Sequence, residues 1–490
     1  MLFNSPEYGL FLVVVVAAYF GLPHRAQNRF LLVASYVFYS FWDVRFLSLI
    51  LVSTTVDFVA GRRIALARGR GDGRRARVWL VASVVTNLGL LATFKYFGFF
   101  AEGLHALLAV VGLDTSSPVL EIALPVGISF YTFQTMSYTI DVWRGRMEPV
   151  DDALDFALFV AFFPQLVAGP IERASHLLPQ IQAPRTVGPE DWSRGLYLIL
   201  VGLVRKVVIA DTAGVLVNRY FNSPERFTSL QLACGLALFA IQAYGDFAGY
   251  SNIARGSARL LGFDLMRNFR HPYFATNPSD FWHRWHVSLS SWLRDYLYIP
   301  LGGSRRGERR TYVNLVITMF LSGLWHGAGA NFVLFGLLHG AYLAGYRALR
   351  RGAVVGGALP SEVEARQRAT GAPYRGGRLP LPGMGPLLAG LGTFCAMSLL
   401  LLLFRAPDPA TAWVYLKGMA AMSFDGQWDL AMAMGFAALT LAIDAPQALY
   451  DDEWVFLRPR PVLRGALAGA AVILIILSGN VDEPFVYFQF

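Results

Sequence analysis

The feature that most constrains this chain is a succession of long apolar runs that carry almost no charge. Residues 312–324 contain no Asp, Glu, Lys, Arg or His, and residues 331–338 contain none either. Crossing the hydrocarbon of a bilayer as a helix takes about 20 mostly apolar residues, or fewer where the segment is broken or re-entrant. Candidate segments are 9–22, 30–42, 46–60, 78–100, 103–113, 119–140, 153–168, 194–217, 228–250, 311–325, 330–346, 385–404, 430–448 and 462–479. Several are short, so the length rule predicts about 11 true spans with some re-entrant pieces. Composition agrees. Only 15% of the 490 residues are charged and 55% are hydrophobic, against about 25% charged in a soluble domain. The expected class is an all-α, polytopic membrane protein.

Arginine clusters set the expected topology. Arg62, Arg63, Arg68, Arg70, Arg74, Arg75 and Arg77 form one group, and Arg305, Arg306, Arg309 and Arg310 a second. Arg347, Arg350, Arg351, Arg366, Arg368, Arg375 and Arg378 form a third. The positive-inside rule puts all three in the cytoplasm and the N-terminus outside. The first apolar run has no basic residue before it and no small-x-small site after it, so it reads as a retained span rather than a cleavable signal. Residues 311–346 leave one basic loop and return to another, which predicts a hairpin. Residues 351–384 are rich in Gly, Pro and Arg and read as a flexible cytoplasmic loop within a single domain, 1–490. No base-stacking or groove-reading module accompanies the arginines, so nucleic acid is not an expected partner and contact with membrane lipid is. Cys234 and Cys395, both in apolar runs, read as small buried hydrophobes.

His326 interrupts the hairpin near its turn. A titratable group inside a membrane segment is costly to desolvate and is usually retained for a job, and imidazole exchanges protons near neutral pH. Gly327 and Gly329 flank it, where a missing Cβ permits a bend or a close approach. Residues 277–299 read as one amphipathic helix, capped by Asn277 and opened by Pro278. Trp282, Trp285, Leu289, Trp292 and Tyr296 would line its aromatic face. On it His283 and His286 stand three residues apart, sharing a face. No carboxylate pair or cysteine completes a metal site, so none is expected. Asp246, inside another apolar run, must be paired or line a wet site. Pro125, Gly127, Ser129 and Gln134 can pack helices or line a pore. His339 reads as structural.

Seven stretches, in order along the chain, resemble one family. They are LPVGISFYTFQTMSYTIDVWRG at 124–145, FFPQLVAGPIER at 162–173, YGDFAGYSNIARG at 244–256 and FWHRWHVSLSSWLRDYLYIPLGG at 281–303. SGLWHGAGANFVLFGLLHG at 322–340, FRA at 404–406 and FVYFQF at 485–490 complete the set. Together they resemble the membrane-bound O-acyltransferase family, in particular its alginate O-acetyltransferase branch. The resemblance implies a ring of tilted transmembrane helices, with re-entrant and interfacial helices, around a central funnel and tunnel. It places the family's key histidine on His326 and a second signature position on His286. Trp325, Gly327, Ser290, Arg294, Asp295, Gln134 and Asp246 would line or support the tunnel. His283 stands where relatives often have Arg or Asn, so no catalytic role is carried onto it.

The resemblance further implies a bacterial inner-membrane enzyme with no permanently bound cofactor. Its donor would be a cytoplasmic thioester, acetyl-CoA. Its acceptor would be an exported polysaccharide such as alginate, reached through a periplasmic acetyltransferase or acetylesterase-like partner. Peptidoglycan acetylation and D-alanine transfer are alternatives within the same chemistry. A proton-coupled transporter or flippase is the alternative outside it, which broken helices and Asp246 would suit and the lack of an internal repeat disfavours.

Overall fold

The computed structural model describes residues 1–112, 125–167, 169–352, 383–479 and 486. Among these the chain is built from helices and connecting segments, with no strand. Seven helical stretches are long and apolar enough to cross a membrane: Val44–Gly69, Gly73–Val110, Ser229–Leu260, Ala330–Arg350, Met384–Arg405, Gln427–Leu449 and Pro461–Ser478. The protein is thus an all-α, polytopic membrane protein. The expected loop 351–384 falls outside the described residues except at its ends.

Ser229–Leu260 is the central post. Its apolar window is 89% buried, whereas that of Pro461–Ser478 is 0% buried and faces outward. Thr228 caps its start, accepting from the Gln231 amide while the Gln231 side chain accepts from the Thr228 amide. This reciprocal pair satisfies two donors that a helix start leaves open. Pro189–Leu203, Thr212–Asn222 and Gln427–Leu449 pack around the post.

Two groups of charges buried in this assembly are paired, as a low-dielectric interior favours. Lys206 bridges Asp211 at 2.6 Å and Asp246 at 2.8 Å, and the Val486 amide donates to the other Asp246 oxygen at 2.6 Å. Asp444 accepts from Arg205 at 2.5 Å and from the Tyr244 hydroxyl at 2.7 Å. Arg205, Lys206 and Asp211 lie in a π-helical stretch, Val204–Asp211, where the wider turn redirects side chains.

Two expectations need correction. The run 78–100 and the run beginning at 103 lie on one helical stretch, Gly73–Val110, continued through a π-helical turn at Ala92–Tyr96. The segment 277–299 is not a single helix. It breaks into Pro278–Arg284 and Val287–Leu293, then a π-helical turn at Arg294–Tyr298. The start is as expected, with the Asn277 side chain accepting from the Asp280 amide. The break comes at His286, whose φ is 43°. Residues 268–270 run beside it, the Val287 amide donating to Asn268 O and the Arg270 amide to Arg284 O, both at 2.9 Å. His283 and His286 therefore share no helical face.

The hairpin is as predicted, Glu308–His326 followed by Ala330–Gly352. Its arms meet backbone to backbone. A Cβ on Gly323 would stand 2.1 Å from the Phe332 carbonyl oxygen, and one on Gly336 would stand 2.4 Å from that of Met319. Small residues permit such an approach between membrane helices.

Lys206→Met leaves Asp211 and Asp246 buried without this cation. Removing one partner of a buried pair costs about 3–5 kcal/mol, so the purified variant should melt well below wild type in a detergent thermal-shift assay.

Candidate functional site

His326 is the last residue of its helix, where the final carbonyls lack intrahelical partners. Those carbonyls are taken by a different helical stretch. The Tyr96 hydroxyl donates to Leu324 O at 2.7 Å, and Lys95 Nζ donates to Trp325 O at 2.6 Å and to His326 O at 3.0 Å. The His326 ring is buried among aromatic rings, 5.1 Å from Trp325, 5.2 Å from Phe404 and 6.0 Å from Phe335 between ring centres. Asn331 donates to Ala406 O at 2.5 Å, tying the 404–406 motif to the hairpin turn.

His286 approaches from the broken segment and is fully buried. Its left-handed backbone is a conformation that non-glycine residues seldom adopt, and such outliers concentrate at functional sites. Asn268 holds the ring, with Oδ1 3.1 Å from Nδ1. The Ser288 hydroxyl and amide donate to the same oxygen at 2.9 and 3.3 Å. An amide oxygen can only accept, so Nδ1 carries the proton and Nε2 is the ring's acceptor nitrogen. The His286 ring lies 5.8 Å from Trp325 and 4.7 Å from Phe247. Trp325 thus touches both imidazoles.

A ladder of rings leads away from this pair. Trp325 stacks on Phe133 at 5.7 Å, Phe133 on Trp292 at 3.9 Å, and Trp292 meets Tyr296 at 5.1 Å. The guanidinium groups of Arg173 and Arg144 lie 4.7 and 5.2 Å from the Tyr296 ring centre. The Tyr296 hydroxyl donates to Asp141 at 2.5 Å. Arg68 donates to Val142 O at 2.8 Å, so this end lies on the side of the first arginine cluster.

The remaining candidates divide. Trp325 and Gly327 belong to the imidazole pair. Gly327 has an extended backbone that any residue adopts, but a Cβ there would stand 2.1 Å from the Phe332 ring. The close approach is to the protein's own aromatic ring. Asp295 lies at the far end of the ladder, 3.5 Å from Arg173, and accepts from Arg294, which is exposed. Ser290 donates to Trp285 O at 3.1 Å, and Gln134 donates to Phe159 O at 2.5 Å. Asp246 is engaged in its ion pair, although the next residue, Phe247, packs on His286. His339 packs on Phe335 and Trp282. Among the described residues no three His, Cys, Asp or Glu form a metal-ligand group. A cavity of about 630 Å³ lies elsewhere, lined by Arg194, Asp452, Trp454 and Arg464 among others, with no imidazole.

Sequence reasoning missed Lys95, Tyr96, Asn268 and Ser288. A lone lysine within an apolar run was the available signal for the first. Asn268 and Ser288 carry no such mark, since their role comes from a turn that only the fold creates.

Comparison with known proteins gives a consistent picture. The sequence profile of the membrane-bound O-acyltransferase family matches residues 114–353. The chain is 41% identical to the probable alginate O-acetylase of Pseudomonas putida over 350 residues, 71% of each chain. It is 32% identical to the peptidoglycan O-acetyltransferase of Helicobacter pylori over 455 residues, 86% of this chain and 80% of that one. A more distant match, 28% identical over 236 residues, is the teichoic acid D-alanyltransferase of Bacillus subtilis, covering 45% of this chain and 58% of that one.

Overpacking a filled site costs about 1–3 kcal/mol. Gly327→Ala should therefore lower the melting temperature, and Phe332→Leu in the same chain should restore part of it; thermal shift on the single and double variants reads both.

Proposed function

The chain belongs to the membrane-bound O-acyltransferase family, and from that membership and its paired imidazoles we propose that it moves acetyl from a cytoplasmic thioester, acetyl-CoA, toward an exported polysaccharide. The protein is an O-acyltransferase. The observation that carries the finer reading is the meeting of His326 and His286 on Trp325 at the breaks of two membrane-embedded segments.

His326 serves as general base. It takes the proton of an incoming hydroxyl as the hydroxyl oxygen attacks the acetyl carbonyl, and a tetrahedral intermediate forms. That intermediate collapses, the carbon–sulfur bond breaks, and the imidazolium returns its proton to the departing thiolate. His286 presents an acceptor nitrogen, which suits orienting the His326 ring or the hydroxyl. Binding the tetrahedral oxygen would need the other tautomer. The basic end of the ring ladder supports a place for the donor. Arg144 and Arg173 flank Tyr296 on the side assigned to the cytoplasm, where guanidinium groups fit phosphates.

The acceptor is alginate or a similar exported polymer, which the 41% identity to an alginate O-acetylase supports, and it is reached through a hydroxyl on a periplasmic partner. Peptidoglycan is the second reading, favoured by the longer match to the Helicobacter pylori enzyme. Family membership supports either over the transporter reading.

His326→Ala should reduce polymer acetylation by about 10²–10⁴-fold at matched protein level, measured as acetyl released from isolated polymer by mild base. Near wild-type acetylation would defeat the proposal. In inverted membrane vesicles given labelled acetyl-CoA, the Arg144→Ala and Arg173→Ala double variant should need about tenfold or more donor for half-maximal incorporation, as expected for losing charge-assisted phosphate bonds.

A further inference from the structure

We propose that Lys95 is a positioning residue for His326, acting through the backbone at the end of the histidine's own helix. The proposal rests on His326 as the base, and its test separates the two.

Lys95 lies in the π-helical turn Ala92–Tyr96, within the long Gly73–Val110 stretch and remote in sequence from the hairpin. It and Tyr96 aim at three successive carbonyls, those of Leu324, Trp325 and His326. An uninterrupted α-helix would turn adjacent side chains about 100° apart, and the extra residue of a π turn alters that direction. A cation and a hydroxyl donor are thereby delivered together to the negative end of the helix.

Three physical facts make this more than helix capping. First, an ammonium inside a bilayer is retained only where something compensates it, and backbone carbonyls are a recognised partner. Second, one of the two carbonyls is that of His326 itself, so Lys95 fixes the peptide plane adjoining the Cα from which the imidazole projects. Beyond it, the Gly327 amide reaches Gly323 O only at 3.4 Å, so the helix's own last bond is long. Third, the ammonium lies 5.9 Å from the centre of the Trp325 ring, which touches both imidazoles. Lys95 thus grips the His326 peptide and the indole between the histidines at once. Without it, Trp325 O and His326 O lose their charged donor and the imidazole loses its fixed origin. Displacement of a reacting group by about 1 Å is enough to cost about 10²-fold in rate.

The test uses the full-length protein in inverted membrane vesicles with labelled acetyl-CoA, scoring label in polymer. Lys95→Met should lower the maximal rate by about 10²-fold, leave half-saturating acetyl-CoA within about twofold of wild type, and leave folded protein abundant. Lys95→Arg, which keeps charged donors on a similar stem, should recover most of the rate. Site-resolved hydrogen exchange at the His326 ring carbon, read by mass spectrometry, should change in Lys95→Met and return toward wild type in Lys95→Arg. A wild-type maximal rate, a rise in half-saturating donor at unchanged maximal rate, or unchanged ring exchange each overturns the proposal. Should Lys95→Met not accumulate, Lys95→Gln is read in the same way, and loss of folded protein in both makes Lys95 a structural residue and overturns it too. His326→Ala runs alongside. If it stays active, the assignment of the base has failed. If it is inactive while Lys95→Met is normal, only the present proposal has failed.

Discussion

Every backbone carbonyl and amide that a membrane-embedded helix leaves open where it stops must find a partner other than water. The candidate site is organised by this requirement. Where the His326 helix ends, the open carbonyls are met by Lys95 and Tyr96 from a distant stretch. Where the chain breaks at His286, residues 268–270 lie alongside, accepting from the Val287 amide and donating to the Arg284 carbonyl, while the Asn268 side chain accepts from the Ser288 amide. Both imidazoles therefore stand at interruptions whose repair comes from elsewhere in the fold. Interruption and repair together hold each ring in one place.

The same economy governs the charges. Lys206, Asp211 and Asp246 form one compensated group, and Arg205, Asp444 and Tyr244 another. Each lies against the central Ser229–Leu260 helix, whose Tyr244 and Phe247 also face the aromatic surroundings of His286. A helix with so many polar side chains could not stand alone in lipid. Packed among segments that supply the partners of its Asp246 and Tyr244, it becomes the element against which the candidate site is built.

Much of this was legible in the sequence. Charge-free runs marked the membrane class, and paired arginine clusters marked the hairpin with His326 near its turn. Asp246 was recognisable as a group that must be paired or wetted, although its partner was not. The segment 277–299 misled because its aromatic residues keep helical spacing on both sides of the break. Periodicity survives a single left-handed residue, and nothing local announces that His286 is that residue. Its conformation is held by Asn268, 18 residues away. Lys95 was missed although it is a lone cation in an apolar run, and its target lies 230 residues further along the chain. Long-range partners of this kind leave no spacing signature in a single sequence.

The glycine contacts between the arms of the hairpin have a mechanical consequence. Arms that touch through bare backbone at Gly323 and Gly336 have no side-chain layer to slide or yield, so they cannot spread without separating peptide from peptide. The element carrying His326 behaves as a stiff blade. Room for a passing substrate must then come from rotation of the rings around it, or from displacement of the neighbours that press on its edges.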